Sequence, residues 1–477
     1  MPMINTNVAS LQAIHKLNAS TVDMNLRLGR LSSGLRINSA KDDPAGLIAS
    51  ETLRAEISGI NQAISNSERA SSVIGTAEGA LNEVSALMLD LKALINNSAN
   101  TGAISPEEIK ANQAQIDSSI ASINRIANAT MFEGVKLLNG QLDFVTSGVV
   151  NTEVTDLRID QVRFGATSAV GVTIAQVTSA QRGSVYWSAG ALSADLTIAV
   201  AGNRGVETFT FQSSATWANI AAAINQATAV TGVSAVGSAG GVLFQSAEYG
   251  SKQFVKVNPL GNDTFDTVAA AGSATAANYD YGQDLEVAVN GVVAVGDGLR
   301  IKTNGPAVTM EIKMAETWNT AAATTSFSIN GGGAQFQIGP QVNAQQMNIL
   351  GIQSVAAYNL GNSDVGYLRD IMTGGTYDVS ADQTVAANAS DIVDASIQQV
   401  AELRSRLGAF QKNALQTNIN SLNVSLENVT ASESAIRDAD FAKETAAMTR
   451  SQILVQAGTK VLALANAAPQ NVLALLG

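Results

Sequence analysis

The stretch Leu31-Ser-Ser-Gly-Leu-Arg-Ile-Asn-Ser-Ala-Lys-Asp-Asp-Pro-Ala-Gly-Leu47 joins two segments of helical periodicity and decides how the chain can fold. Gly34 is expected to loosen the end of the first helix, because glycine adopts left-handed backbone angles without strain. Pro44 with Gly46 is expected to break the chain and restart it as a second helix. Asp42 and Asp43 are expected to cap that helix and to suit the positive end of its dipole. The stretch therefore predicts two helices separated by a defined turn.

Apolar residues that lead into this stretch, and its own first residues, recur at steps of three, four and seven, which is the pattern of one helical face. They are Ile14, Leu17, Met24, Leu28, Leu31 and Leu35. After it, a heptad-like stripe runs through Ile57, Ile60, Ile64, Ile74, Leu81, Met88, Leu91 and Ile95. A third helix is expected to start at Ser105-Pro106-Glu107-Glu108, where Ser105 and Glu108 can form a capping box. Its stripe consists of Ile109, Ile116, Ile120 and Ile123.

The carboxy-terminal part shows the same periodicity. The first stripe is Val393, Ile397, Val400, Leu407 and Ala414, and the second is Leu422, Leu426, Val429 and Ile436. The third is Leu454, Ala457, Val461, Leu464 and Ala468. Val472 and Leu473 are assigned to the same packing surface as the third stripe. An apolar side chain left in water forfeits roughly 1.5–3 kcal/mol. The stripes therefore need partners, either one another or neighbouring copies of the chain, and they predict assembly.

Between about Asp143 and Ala334 the period changes to the alternation of β-strands. Strands are expected at Leu196–Val200, Glu207–Phe211, Leu285–Val289 and Phe327–Ile329, with a short helix at Trp217–Ala229. Asn290-Gly291 favours a hairpin turn. A second hairpin is expected at Ala334–Gln353, where Phe336, Ile338, Val342 and Met347 alternate around Gly339-Pro340. Residues 192–257 predict a compact α/β module.

The order of these elements predicts an α+β multidomain fold. Long helices at the two ends pair as a coiled coil or helical rod, and β-rich outer domains are inserted between them. Because the chain leaves by one set of helices and returns by another, its two ends are expected to meet.

Composition excludes several classes of function. The 477 residues carry a net charge of −12, which argues against nucleic-acid binding because phosphate contacts need clustered lysines and arginines. No secretory signal peptide and no apolar run long enough for membrane insertion are recognised. The chain has no cysteine, which is compatible with either redox compartment and with a chain that stays uncrosslinked during export.

Catalytic sites are not predicted. His15 is the one histidine, which excludes an HExxH zinc site and leaves a single candidate base; a packing or interface role is expected for it. Asp42 with Asp43, and Asp438 with Asp440, favour helix capping and salt bridges over metal binding. No catalytic, cofactor-binding or metal-binding residue is therefore assigned, and the chain is predicted to be no enzyme.

The quoted stretch is very similar to the signature that joins the first two helical segments of bacterial flagellins. Phe132-Glu-Gly-Val-Lys-Leu-Leu-Asn-Gly140 resembles the turn after their third helix, and the segments Arg437–Glu444 and Pro469–Leu476 resemble their carboxy terminus. The signature residues are Ser33, Gly34, Arg36, Asn38, Asp42, Asp43, Pro44 and Gly46 at one end and Arg437, Asp438, Asp440, Pro469, Gln470 and Asn471 at the other. The resemblance covers roughly residues 1–140 and 385–477. Residues 213–257 resemble a small insert of some flagellins and hook-associated proteins.

The resemblance implies five segments. They are an amino-terminal inner-core helix (1–40), the amino-terminal part of a rod domain (41–145), surface-exposed outer domains (146–334), the carboxy-terminal part of the rod (335–436) and a carboxy-terminal inner-core helix (437–477). It also implies a subunit that polymerises into the flagellar filament for swimming motility. The chain would be secreted unfolded by type III export and assembled at the filament tip. Its implied partners are further copies of itself, an export chaperone and the export apparatus, and the filament cap and hook–filament junction proteins.

One segment departs from the family pattern. Many flagellins carry an arginine- and glutamate-bearing stretch that a flagellin-sensing Toll-like receptor grips. Here the segment reads Met88-Leu-Asp-Leu-Lys-Ala-Leu-Ile-Asn-Asn97, with Leu89 and Asp90 where that pattern has a polar residue and an arginine, and Ala93 in place of the acidic one. The sequence therefore predicts a poor agonist of that receptor.

Two alternatives stay open. A hook–filament junction protein shares the helical ends but forms one short ring, whereas flagellin polymerises without limit. An adhesive or glycan-binding outer surface on a filament subunit is the other, and binding of residues 146–334 to cells or glycans would reveal it.

Overall fold

The computed structural model describes residues 6–100, 102–165, 167–187, 192, 194–238, 240–260, 267–269, 276–305, 307–320 and 323–473, except for the side chains of residues 383 and 468–473. Within these residues the chain forms eight α-helices: α1 (Val8–Ser33), α2 (Pro44–Ser98), α3 (Pro106–Ala129), α4 (Trp217–Gln226), α5 (Thr228–Thr231), α6 (Ala386–Ala409), α7 (Thr417–Arg437) and α8 (Phe441–Leu473). A π-helical segment, Phe410–Gln416, separates α6 from α7.

The strands of the described residues are β1 (Met131–Phe132), β2 (Val135–Lys136), β3 (Phe144–Ser147), β4 (Val154–Val162), β5 (Val170–Thr178), β6 (Ser184–Trp187), β7 (Leu196–Gly202), β8 (Val206–Phe211), β9 (Val233–Ser238), β10 (Gly241–Ser246), β11 (Phe254–Pro259), β12 (Thr267–Val268), β13 (Tyr279–Tyr281), β14 (Glu286–Val289), β15 (Val292–Asp297), β16 (Arg300–Asn304), β17 (Val308–Met314), β18 (Thr324–Gly332), β19 (Ala334–Gln337), β20 (Met347–Leu350), β21 (Gly361–Asn362) and β22 (Gly366–Tyr367). Long terminal helices thus enclose a β-rich middle in the sequence order, which confirms the α+β fold class.

The chain separates into two compact units. The terminal unit consists of Met1–Arg69, Gln337–Val342 and Lys412–Gly477, and the central unit of Ala70–Phe336 and Asn343–Gln411. In the terminal unit, α1 packs along α8, and the first part of α2 packs against α7. The second contact is a small apolar cluster of Ile60, Ala63 and Leu422, flanked by Ile64, Leu426 and Val429.

The helices of the central unit bury one face each. The predicted stripe of α2 is fully buried at Ile74, Leu81, Met88, Leu91 and Ile95, and that of α3 at Ile116, Ile120 and Ile123. The predicted capping box is present at the start of α3, where the Ser105 side chain accepts from the backbone N–H of Glu108 and the Glu108 side chain accepts from that of Ser105. These local predictions are confirmed.

A ten-stranded sheet, in the order β19-β20-β4-β17-β16-β15-β14-β5-β18-β3, forms the largest core. β14 and β15 are joined by Asn290-Gly291, and both residues have positive φ (49° and 82°), as a tight hairpin requires. The predicted hairpin at Ala334–Gln353 is present as β19 and β20. Val342 lies outside both strands and is 91% exposed, so the expected alternation stops at Gln337 and resumes at Met347.

The inserted module, from β6 to β13, has its own core. It contains two four-stranded sheets, β12-β6-β10-β9 and β13-β11-β7-β8, together with α4 and α5. The predicted helix over 217–229 is present as α4 followed by α5. The module also takes in β6, β12 and β13, which lie outside the predicted range of 192–257.

Candidate assembly site at the paired termini

The two ends of the chain meet at a backbone bridge, which we call the terminal junction (residues 33–46 and 434–440). Leu35 and Asp438 form an isolated antiparallel bridge. Beside it, the Arg36 N–H donates to the Arg437 carbonyl at 2.7 Å, and the Ala439 N–H donates to the Gly34 carbonyl at 2.9 Å. The two predicted signatures, about 400 residues apart in sequence, therefore form one structural element.

The turn between α1 and α2 uses its two aspartates differently. The Asp43 carboxylate accepts from the Gly46 N–H at 2.9 Å and so caps α2, as expected. Asp42 was expected to share that role. Its carboxylate instead accepts from the N–H groups of Ser39 and Asn38 at 3.0 and 3.1 Å, which closes the preceding turn. These backbone bonds, from Ser39 first, lower the pKa of Asp42 below its ordinary value.

Small residues are required on both sides of this turn. Gly34 ends α1 in the left-handed conformation, with φ of 74°, and its N–H donates to the Arg30 carbonyl. A Cβ at Gly46 would lie 2.4 Å from the Asp43 carboxylate and 2.7 Å from the Ile37 side chain, which is buried. The expected break and restart at these glycines is confirmed.

Side chains of the signature tie the turn to its neighbours. The Ser33 hydroxyl accepts from the Asn38 amide at 2.7 Å. On the other segment, the Arg437 guanidinium donates to Glu51 at 3.0 Å, and the Ser50 hydroxyl donates to Glu433 at 3.0 Å. The terminal junction thereby connects α2 with the end of α7.

The contact between α1 and α8 is made by residues spaced seven apart on α8. Glu444 contacts Arg27, Ser451 donates to Asp23 at 2.6 Å, a Cβ at Gly458 would lie 3.2 Å from Leu17, and the Ala465 carbonyl accepts from Asn7 at 2.7 Å. As the residue number rises on α8 it falls on α1, so the helices are antiparallel. We call these contacts the seam.

A charge cluster lies at one end of the seam. Glu444 is 6% exposed and accepts from Arg27 at 3.0 Å and from Arg30 at 3.1 Å. Burial alone raises the pKa of Glu444, but the hydrogen bonds from the two arginines outweigh it and lower the pKa below its ordinary value. Because a buried carboxylate needs both partners, the cluster fixes the register of α1 on α8.

Most of the large apolar residues of these two helices point away from the seam. Of the predicted packing residues, Leu17, Met24, Leu31 and Leu35 are half-buried, while Ile14, Leu28, Leu454, Ala457, Val461 and Leu464 are exposed. The side chains of Ala468, Pro469, Gln470, Asn471, Val472 and Leu473 lie outside the described residues. We call the large exposed set the outer apolar surface: Val8, Leu11, Ile14, Val22, Leu26, Leu28, Phe441, Ile453, Leu454, Val461 and Leu464.

Sequence reasoning missed Asp23, Arg27, Arg30, Ser451 and Gly458. The stripe predicted on α8 runs one to three positions away from the seam because leucine and valine carry the hydrophobic signal. A seven-residue recurrence of small or buried polar residues is the signal that would have identified the seam.

The described residues contain neither a candidate membrane-spanning helix nor a candidate metal-binding cluster. No helix among them is both long and apolar enough to cross a membrane. Nor do three acidic or histidine side chains converge there as they would around a metal ion.

Two sequence-family models match the two ends of the chain. The model of the bacterial flagellin N-terminal helical region matches residues 4–143, and that of the C-terminal helical region matches residues 390–476. The chain is 30% identical over 524 residues to flagellin of Salmonella muenchen and 31% identical over 481 residues to polar flagellin F of Vibrio parahaemolyticus, with 99% of each chain covered in both comparisons. Among solved structures, FliC from Burkholderia pseudomallei superposes with a TM-score of 0.25 at 13% identity, over 73% of this chain and 99% of that one, a likeness too slight to carry structural inference.

Proposed function

The chain belongs to the bacterial flagellin family, and we propose that it polymerises into the flagellar filament through the outer apolar surface of α1 and α8. It is a structural subunit that serves motility, and it is not an enzyme. The family forms the extracellular flagellar filament, which is where this subunit acts.

The exposure of large apolar residues on both terminal helices carries this proposal. Most seam contacts are made by small and polar side chains, so many leucines, isoleucines and valines of α1 and α8 stay exposed to water in a single chain. Burying each one against a neighbouring copy would contribute roughly 1.5–3 kcal/mol. A group of exposed large apolar residues on two paired helices is typical of an interaction surface.

We propose the following placement in the filament. Residues 1–40 and 437–477 line the channel as the innermost helices, residues 41–145 and 335–436 form the surrounding rod, and residues 146–334 form the exposed outer domains. The antiparallel seam and the terminal junction support the first of these assignments, because they already join the two ends of one chain.

Export and assembly partners follow from family membership. We propose that the chain is secreted unfolded through the export apparatus, that an export chaperone holds its carboxy-terminal segment, and that it folds beneath the filament cap. Hook–filament junction proteins would join the filament to the hook. The absence of cysteine from the sequence supports passage as an uncrosslinked chain.

We also propose that the chain is a poor agonist of the flagellin-sensing Toll-like receptor. Leu89 is 60% exposed on α2, and Asp90 and Ala93 are exposed beside it, so the departing residues lie on the surface. In a reporter-cell titration we expect a much weaker response than to a potent flagellin. A matching dose–response curve would contradict this.

Electron microscopy after salt- or seed-induced assembly tests the main proposal. The full chain should form long tubes, whereas a chain lacking residues 437–477, or carrying Val461→Asp with Leu464→Asp, should form none. Gln452→Asp is the matched control, because it places a carboxylate at an exposed polar position of the same helix and should leave the tubes intact. Short rings from the full chain would favour the hook–filament junction protein.

A further inference from the structure

Three aromatic rings lie at one edge of the inserted module, and we call them the aromatic edge: Phe254, Tyr279 and Tyr281. Tyr279 is 58% exposed and Tyr281 is 62% exposed, while Phe254 is half-buried. None of the three is part of the module's hydrophobic core as the described residues define it. The core of the module therefore does not account for them, and large exposed apolar rings are typical of binding surfaces.

The rings form a corner rather than a flat stack. The Tyr279 and Tyr281 rings lie 6.1 Å apart at an interplanar angle of 77°, and the Phe254 ring lies 5.9 Å from Tyr281 at 48°. A ligand lying on one ring would therefore meet another ring at its side. This shape fits a single compact ring with an apolar face.

The strand that carries the tyrosines is held in place. Phe254 pairs with Tyr281, and Lys256 pairs with Tyr279, in the antiparallel ladder of β11 and β13. Between the tyrosines, the Asp280 carboxylate accepts from the Ser184 N–H at 2.9 Å. The rings are thus preorganised, which lowers the entropy cost of binding a ligand.

The face beside the rings combines small, polar and a few apolar residues and is almost uncharged. Alternation along β11 places Lys256 and Asn258 outward, since Val255 and Val257 are fully buried. The partner positions on β7 are the small residues Ala201 and Ala199. On β8, Val206, Thr208 and Thr210 continue this face, and Val206 is 62% exposed. Lys256 is the one charged residue that these described strands place on it.

This combination favours a sugar. A pyranose presents a face of C–H groups that packs on an aromatic ring and a rim of hydroxyls that bond to amides and ammonium groups. A protein partner would need about 800 Å² with its large apolar residues at the centre, whereas here the rings lie at the edge and alanines at the centre. A nucleic acid would need a basic surface, and the net charge is −12.

We propose that the aromatic edge binds the terminal sugar of a neutral glycan, with the C–H face of the pyranose on Tyr281, its side against Tyr279 and its hydroxyls toward Lys256. The function goes beyond polymerisation and does not depend on it. A filament would present the same site once per subunit, so weak single sites would act together.

Saturation-transfer NMR on the monomeric full chain tests the proposal, with methyl β-galactoside, methyl β-glucoside and methyl α-mannoside as probes. Transfer to the ring C–H protons of at least one probe is expected. Tyr281→Ala and Tyr279→Ala should each weaken binding about tenfold. Tyr279→Phe should retain it, because the ring face is kept. Tyr358→Ala is the matched control, since Tyr358 is an exposed tyrosine of the central unit outside the inserted module.

Two results would overturn the proposal. One is the absence of transfer from all three probes at about 10 mM, or equal transfer with the Tyr279→Ala/Tyr281→Ala double variant. The other is a dimer of the full chain in sedimentation that Tyr281→Ala dissociates, which would make the aromatic edge a contact between copies.

Discussion

The inserted module and the paired terminal helices solve the burial of apolar residues in opposite ways. In the module, Ile198, Val200, Phe244, Val255 and Val257 are fully buried within one chain. In the terminal pair, the buried positions belong to Ser10, Ala13, Glu444 and Ser451, and most of the large apolar side chains are exposed. The module therefore buries its large apolar residues within a single copy, whereas the terminal helices leave many of theirs exposed in a single copy. The exposure of large apolar side chains thus distinguishes the part of the chain that offers an interaction surface from the part that folds around its own core.

Hydrogen exchange on the monomer should show the largest contrast. Amides of α1 and α8 should exchange at least about a thousandfold faster than those of β10, because the terminal helices lack cover for their apolar faces. Mass spectrometry of peptides from the monomer and from filaments measures this. Equal protection of both regions in the monomer would remove the contrast.

Truncating a core residue of the module should cost most among single substitutions. Phe244 is fully buried, so Phe244→Ala should lower the free energy of unfolding of the module by about 3–5 kcal/mol. Urea unfolding followed by tryptophan fluorescence reports it, since Trp187 and Trp217 lie in the module. Val236→Ala, at a 57% exposed position of the same sheet, is the control and should cost under about 0.5 kcal/mol.

Breaking the charge cluster of the seam should have an intermediate effect. Glu444→Gln leaves Arg27 and Arg30 without their shared carboxylate and should destabilise the helix pair by about 2 kcal/mol, below the usual cost of a fully buried pair because both arginines keep some exposure. The melting temperature of assembled filaments should fall, while the urea midpoint of the module stays unchanged. A fall in both would mean that the two regions are not independent.

Acid should weaken the seam. The pKa of Asp23 is lowered first by the hydrogen bond from Ser451 and then by Arg27, and that of Glu444 is lowered by its two arginines. Groups with a lowered folded pKa stabilise above their ordinary values of 3.8 and 4.5, and that stability is lost as the pH falls through the lowered values. Light scattering should show filaments dissociating below about pH 4, and Glu444→Gln should make that loss shallower.

The smallest expected effect separates the two aspartates of the α1–α2 turn. Asp43→Ala removes the cap of α2 and should cost about 1 kcal/mol of filament stability. Asp42→Ala frees two N–H groups of an exposed turn and should cost less, because water can replace the carboxylate. Filament melting curves of the two variants, measured side by side, show which substitution lowers the melting temperature more. A larger loss for Asp42→Ala would mean that Asp42, and not Asp43, caps α2.

Local signals in the sequence predicted local structure well. Gly34, Pro44, Ser105 and Asn290-Gly291 each act through the backbone angles or caps of a few adjacent residues, and the structure confirms each one. The stripe of α2 from Ile74 to Ile95 was predicted equally well, because large apolar residues at helical spacing indicate a helix face that is buried in the core.

Non-local choices were harder to read. Membership of β6 and β12 in the inserted module depends on pairing with each other and with β10, which no local pattern encodes. The seam escaped detection because serine, glycine and alanine carry little hydrophobic signal, although close approach of two helices requires them. Asp42 and Asp43 are adjacent and chemically identical, so only the geometry of the turn assigns their separate roles.

The bridge between Leu35 and Asp438 also makes one contact depend on both ends of the chain. Whichever end emerges first has nothing to pair with until the opposite end arrives, since the partners are separated by nearly the whole sequence. A chain that ends after Tyr367 but before Asp438 keeps every described strand and still cannot form this bridge. Formation of the terminal junction therefore depends on both signature segments being present in the same chain.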